Sequence, residues 1–287
     1  MGKVARSPGA LREKVQFSGC STLAMKVDPI SSALHRRAGS HGPVVLMYHS
    51  VETTVGAPAW PWAVSKRRFG AQLDFLKDEG YATPTMAELA AYAHPPSGRT
   101  AVITFDDGYL NNLAACEALH ARGMRATWFV VTGSLGREPT WPDDGRPAGR
   151  LLNARELREM QAAGMEVGSH TVNHARLPTL DDEAMERELC DSRSALEDVL
   201  GAAVSSFAYP YGAWDARCAS AVRNAGYAVA CTTRTGWALR DGNPYSVRRL
   251  TVFNHDSTSS LARKLYFGSH DVAWPEVARY ALRRLRA

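Results

Sequence analysis

Ala101-Val102-Ile103-Thr104-Phe105-Asp106-Asp107-Gly108 is the stretch from which the rest of the chain can be read. Its first five residues carry no charge and are apolar on both faces of an extended chain. That is the habit of a parallel strand covered by helices. Two adjacent carboxylates and a glycine then end the run. Neighbouring side chains of an extended chain point to opposite sides, so one carboxylate can bind a metal while the other faces a water. Beside a divalent cation the second carboxylate stays ionised at neutral pH and can take the water's proton. Asp-Asp-Gly is by itself an ordinary turn, and Asn111-Asn112 prolongs the polar run. Its meaning changes with His170-Thr171-Val172-Asn173-His174 further along. His-x3-His sets two imidazoles on one face of a helix or close together across a turn, and either arrangement supplies two nitrogen ligands at ~2.1 Å from zinc.

Outward from this stretch the same grammar recurs. Residues 44–48, 126–131, 166–169 and 205–208 read as further buried strands. Helical patterns end in glycine just before a strand-like run at Gly80-Tyr81, Gly123-Met124, Gly164-Met165 and Gly226-Tyr227, where the glycine fits the left-handed position that closes a helix. Asn153 and Glu156 form a capping box for a helix over 154–163. A helix over 181–200 carries Met185, Leu189, Leu196 and Val199 on one side, and another spans 216–225. About seven βα units follow Val44 on this reading, and an incomplete parallel α/β barrel is the simplest closure. Residues 52–63 and 134–152, rich in Pro, Gly and Trp, read as loops, the second as an insertion over one end. Sites in such folds lie at the carboxyl ends of the strands. His49, Asp106, Asp107, His170 and the run Tyr209-Pro210-Tyr211-Gly212 all fall there.

The 287 residues, 45% hydrophobic and 22% charged, suit one large domain or two small ones, and no domain-sized linker divides them. Residues 1–40 hold seven basic and two acidic side chains, and therefore the whole net charge of +5. They are expected to form a basic, flexible segment over 1–42, with the folded domain over 43–287. The neutral body gives no nucleic-acid footprint in its net charge. The basic segment allows peripheral contact with an anionic membrane. The five cysteines are scattered and form no CxxC pair, so neither a zinc ribbon nor a disulfide framework is indicated. No apolar run is long enough for a transmembrane helix, and residues 1–40 lack the apolar region of a secretory signal. A cytoplasmic location, at or near the inner face of the membrane, is the expectation.

Thr104-Phe105-Asp106-Asp107-Gly108 and His170-Thr171-x-x-His174 together resemble the first two motifs of the NodB-type polysaccharide deacetylases, carbohydrate esterase family 4. The resemblance spans roughly residues 43–255. It implies a distorted, incomplete (β/α)7 barrel and metal-dependent hydrolysis of an N- or O-acetyl group on a sugar. It implies Asp107, His170 and His174 as metal ligands and Asp106 as general base. The family's third motif, Arg-x-Pro-Tyr, is replaced by Ala208-Tyr209-Pro210-Tyr211, so the arginine that steadies the base is missing from its usual place. The later Leu-x-His, which carries the general acid, is also not evident. Met47-Tyr48-His49 and the run 207–212 instead resemble the permuted branch that includes the poly-N-acetylglucosamine deacetylases. In that branch the acid comes from the first strand, here His49, with His255 as second candidate. The replacement arginine is then Arg249, with Arg248 the neighbouring choice, since alternation admits only one of them. Tyr211 would offer its backbone N–H to the oxyanion. Trp141 and Trp214 lie in loops expected to face the site.

The implied enzyme is a metal-dependent carbohydrate deacetylase that releases acetate from an acetylated amino sugar or polysaccharide precursor, lipid-linked if it works at a membrane. Zinc suits a His2Asp set, and cobalt, nickel or manganese can occupy it. Two rivals stand beside this reading. One is a deformylase or amidase of the same fold, acting on a lipid-linked sugar or a small heterocycle, which a screen of released acids discriminates. The other is a catalytically silent glycan-binding domain, against which the intact carboxylates and histidines speak.

Overall fold

The computed structural model describes residues 27–38 and 42–278, apart from positions 55, 93, 95, 97, 144 and 276. In chain order its elements are α1 (Pro29–His35), β1 (Val44–Tyr48), β2 (Ser50–Glu52), β3 (Ala63–Ser65), α2 (Lys66–Asp78), α3 (Met86–Ala91), β4 (Ala101–Phe105), α4 (Leu113–His120), β5 (Thr127–Val130), α5 (Ala154–Ala162), β6 (Glu166–Ser169), α6 (Asp182–Leu200), β7 (Ser206–Ala208), α7 (Ala216–Asn224), β8 (Val229–Cys231), β9 (Leu250–Thr251) and α8 (Thr258–Phe267). Seven strands form one parallel sheet in the order β8-β7-β6-β5-β4-β1-β9, curled into a distorted, incomplete (β/α)7 barrel.

The seam of the barrel is thin. Val247 makes a single bridge to Cys231 of β8, while Leu250 and Thr251 pair with Leu46 and Met47 of β1. Residues 247–251 therefore span the gap between the two sheet edges. Alternation along the strands separates two cores. Val45, Val102, Phe129, Ala208, Val229, Cys231 and Val247 fill the inside, joined by Met86 and Leu89 of α3. Leu46, Tyr48, Ile103, Phe105, Trp128 and Phe207 point outward into the layer under the helices, where Phe105 stacks on Trp128 at 4.6 Å. Helix α3 closes the amino end of the barrel. Its Met86 N–H donates to Thr127 Oγ1 and its Ala87 N–H to Glu166 Oε2, both on the first residues of their strands. The carboxyl end is left for chemistry.

The four glycines at helix-to-strand junctions all have left-handed φ, from +67° to +89°. The Asn153–Glu156 capping box is present in full. Two elements depart from expectation. Order begins before Pro43: residues 29–35 of the expected flexible segment form α1, capped by Asp28, whose N–H donates to Ser259 Oγ. Arg263 of α8 donates to Ser31 Oγ and faces Asp28 at 3.5 Å, so α1 is fastened to the far end of the chain. Residues 1–26 of that expected segment lie outside the described residues. The 52–63 loop is anchored at its two ends by β2 and β3, which pair with each other.

Candidate metal centre and active site

Strand β4 delivers the two carboxylates and then breaks. Asp106 still follows the ladder, its N–H donating to Tyr48 O at 3.0 Å. Asp107 turns left-handed at φ 72°, and Gly108 follows at φ 85° with Val130 so close that an added Cβ would meet it at 2.9 Å. Among the described residues four non-glycines adopt left-handed backbone: Asp107, Thr171, His174 and Tyr211. Such conformations cost ~1–3 kcal/mol each. All four belong to the loops at the carboxyl ends of β4, β6 and β7.

His170 follows β6, its N–H donating to Val130 O. Its ring Nδ1 lies 2.7 Å from Ala208 O, an acceptor, so Nδ1 carries the proton and Nε2 keeps its lone pair. Burial, opposed chiefly by the charge of Asp106, brings the His170 pKa down to about 4, which keeps the ring neutral as a metal ligand must be. Residues 171–174 form a turn rather than a helix, and His174 comes back beside His170 with ring centroids 4.9 Å apart. The His174 ring is stacked on Trp141 at 4.5 Å and meets the Tyr211 ring edge-on at 4.5 Å.

One donor atom from each of Asp107, His170 and His174 lies within 4.8 Å of the others, all three side chains buried. Asp107 Oδ1 is 3.5 Å from His170 Nε2 and 3.4 Å from His174 Nε2. Tetrahedral coordination with bonds of ~2.1 Å requires donor separations of ~3.4 Å. The donor set and its spacing therefore fit a divalent cation. Burial raises the Asp107 pKa, but the hydrogen bond and charge of His174 and the charges of His49 and His170 outweigh it and hold the carboxyl well below the usual range.

Asp106 faces the barrel interior. Both its oxygens accept from Arg249, Nη1 to Oδ1 and Nη2 to Oδ2, each at 2.7 Å. Arg249 is wholly buried, and its Nε donates to Thr232 O at 2.9 Å while its guanidinium lies over the Phe129 ring. Burial works to raise the Asp106 pKa, and the Arg249 charge, with those of His170 and His49, brings it below the usual carboxylate range. Arg248 points outward instead and pairs with Asp241. The two arginines thus take opposite sides, as alternation demands.

His49 follows β1, its carbonyl held by Asn112 Nδ2 at 2.9 Å. Tyr48 pairs with Phe105 in the parallel register of β1 and β4, so His49 and Asp106 leave neighbouring strands at the same rim. The His49 ring meets Trp60 at 5.8 Å and Trp62 at 6.2 Å. Nothing in the sequence marks those two tryptophans or Asn112 as neighbours of His49, because neither a Pro-Gly-Trp loop nor a polar run states what it packs against. Trp60, Trp141, Tyr109, Val131 and Leu151 form a small core of their own over the rim, and Trp60 Nε1 donates to Asp143. The 134–152 insertion is thereby packed on the 52–63 loop. Trp214 does not reach the site: it lies over Tyr209 at 6.2 Å, against the outer core. Tyr211 is 45% exposed and carries Arg176 over its ring at 4.4 Å. His255 is exposed and bonded to Asn254.

A curled parallel sheet with three metal-binding donors and a second, ionised carboxylate at the carboxyl rim defines a metal-dependent hydrolase. The family model described as polysaccharide deacetylase matches residues 93–230, which run from before β4 into β8 and leave out His49 and Arg249. YxkH of Bacillus subtilis (strain 168), named as a polysaccharide deacetylase, is 30% identical over 212 residues, 72% of this chain and 70% of that protein. The Streptococcus pyogenes deacetylase PplD, solved in complex with acetate, superposes with TM-score 0.68 at 25% identity, covering 78% of this chain and 98% of that one. IcaB from Ammonifex degensii superposes with TM-score 0.64 at 28% identity, covering 79% and 98%. The chain belongs to the polysaccharide deacetylase family, and with its Asp-His-His donor set it is a metal-dependent deacetylase.

Proposed function

We propose that the chain removes N-acetyl groups from an amino sugar in a polysaccharide or its precursor, using a zinc ion held by Asp107, His170 and His174. The observation that carries this reading is the pair of unlike carboxylates: Asp107 turned to two histidines, Asp106 gripped by a buried arginine beside them. When bound, the cation supplies Lewis acidity to the acetyl carbonyl and the attacking water. Asp106 is the general base. Arg249 keeps it ionised and fixes its plane, so that its proton-accepting lone pair faces the rim. The backbone N–H of Tyr211, which sits at a left-handed turn after β7, donates to the developing oxyanion in this reading. His49, as imidazolium, hands a proton to the leaving amine. One catalytic domain carries all of these groups.

The basic residues of 1–40 support a substrate met at the inner face of a membrane, such as a lipid-linked precursor. Acetate and free amine should be released stoichiometrically from N-acetylglucosamine oligomers by the zinc-loaded enzyme. Release of formate from N-formyl sugars with no acetate from any acetylated sugar would move the reading to the deformylase rival.

A further inference from the structure

Glu188 lies on α6, on the far side of the His170–His174 turn from the proposed metal. Its side chain is 9% exposed. Oε2 accepts from both Val172 N–H and Asn173 N–H at 2.9 Å, and Oε1 accepts from Asn173 Nδ2 at 2.6 Å. The opposite edge of the same peptides is held as well: Thr132 N–H donates to Thr171 O at 3.1 Å and Gly133 N–H to Val172 O at 2.8 Å. Gly133 has no room for a side chain there, since a Cβ would lie 2.5 Å from Val172 O. The turn is clamped by a carboxylate on its donors and by two backbone amides on its acceptors. Its two left-handed residues, Thr171 at φ 68° and His174 at φ 56°, bracket the clamped peptides.

Left alone, a turn with two strained non-glycine residues would relax, and His174 would leave its 3.4 Å position beside Asp107. A carboxylate accepting three N–H bonds over-determines the strained geometry, and charge-assisted bonds of this kind are about twice as strong as neutral ones. We propose that Glu188 is the positioning residue of the metal centre: it presets the His170–His174 turn so that the second imidazole meets the cation without reorganisation. This rests on the reading of His174 as a ligand. Glu188 touches neither the metal nor the substrate, and it acts only through the turn.

The test is titration of the apo-protein with cobalt(II), followed by the visible absorption of the bound ion and by competition with a chelator. Glu188→Ala should weaken cobalt binding ~10–100-fold, the usual effect of removing an outer partner of a metal ligand. Glu188→Gln should bind nearly as well as wild type, because its amide oxygen still accepts the two backbone donors and Asn173 can turn its own oxygen to the new NH2. Asn173→Asp should weaken binding by setting two carboxylates against each other, and adding Glu188→Gln should restore it. That rescue is a result mere loss of fold stability does not give. Cobalt affinity and spectrum unchanged in Glu188→Ala, with His174→Ala abolishing binding, would overturn the proposal and leave the ligand set standing. Unchanged affinity in His174→Ala would instead overturn the ligand set itself.

Discussion

Arg249 meets Asp106 through two parallel 2.7 Å bonds inside the barrel, while Lys264 meets Asp256 where the chain turns from β9 into α8. Both pairs are buried and both cations also donate to a backbone carbonyl, Arg249 to Thr232 O and Lys264 to Thr251 O. They differ in which force wins. Burial lowers the pKa of Lys264 despite Asp256, whereas Asp106 raises that of Arg249 despite burial. A planar fork on a carboxylate recovers more of its desolvation than a point charge does. They differ also in what they leave over. Asp256 Oδ2 is shared between Lys264 and Phe253 N–H, closing its own loop. Both oxygens of Asp106 go to Arg249, and its chain neighbour Asp107 belongs to the donor set with His170 and His174. A buried ion pair therefore does not mark a site; one with strained backbone and a second carboxylate beside it does.

The largest effect is expected at the metal. His170→Ala with His174→Ala should abolish both metal content, measured by elemental analysis, and acetate release. Full occupancy in that double variant would detach the carboxylate pair from any metal chemistry. Next comes the contrast itself. Asp106→Asn should keep the metal and lower turnover ~10²–10⁴-fold. Arg249→Met should do the same and also cost ~3–5 kcal/mol of stability, by leaving a buried charge unpaired. Lys264→Met should cost stability in the same range by urea unfolding, yet leave turnover per folded molecule at the wild-type level. If both methionine variants lose turnover alike, the distinction between the pairs is void.

A smaller, substrate-dependent loss is expected at His49. His49→Ala should leave metal content intact and depress turnover of N-acetyl sugars far more than that of activated aryl acetates, whose leaving groups need little protonation. Equal losses on both substrates would reduce His49 to a structural role.

The smallest effects concern pH and stability in the metal-free protein. Asp106 has a lowered folded pKa, so its contribution is present above its unfolded value near ~4 and is lost as pH falls through the folded one. His170 and His35, buried and lowered to about 4, bind protons more readily when unfolded. Stability should thus decline from pH ~6.5 towards 4. His35→Gln should flatten part of that decline in urea titrations, and an unchanged slope would mean that His35 titrates alike in both states.

Much of this was legible from local chemistry. Asn153 and Glu156 announce α5, and Asp106-Asp107 with His-x3-His announce the centre, because caps and ligand spacings are written in neighbouring residues. The choice between Arg248 and Arg249 was not legible, because parity needs a strand boundary and β9 has only two residues. Helix α3 went unread although Thr85 and Glu88 form a capping box, since six residues leave no periodic stripe. Helix α1 was hidden by a polar Ser31-Ser32 start whose burial depends on Arg263, more than two hundred positions away. Glu188 looks like any acidic residue on a long helix until its turn is in place.

The thin seam has a consequence for how the enzyme comes into being. A chain emerging amino end first exposes Asp106, Asp107, His170 and His174 well before Arg249, which meets Asp106 across 143 positions. On the proposed roles, the three donors for the cation are synthesised first, but the proposed general base has no guanidinium until the last strand docks against the first. Hydrolytic competence is thus a late event in biosynthesis. On those roles, activity is expected only with closure of the ring.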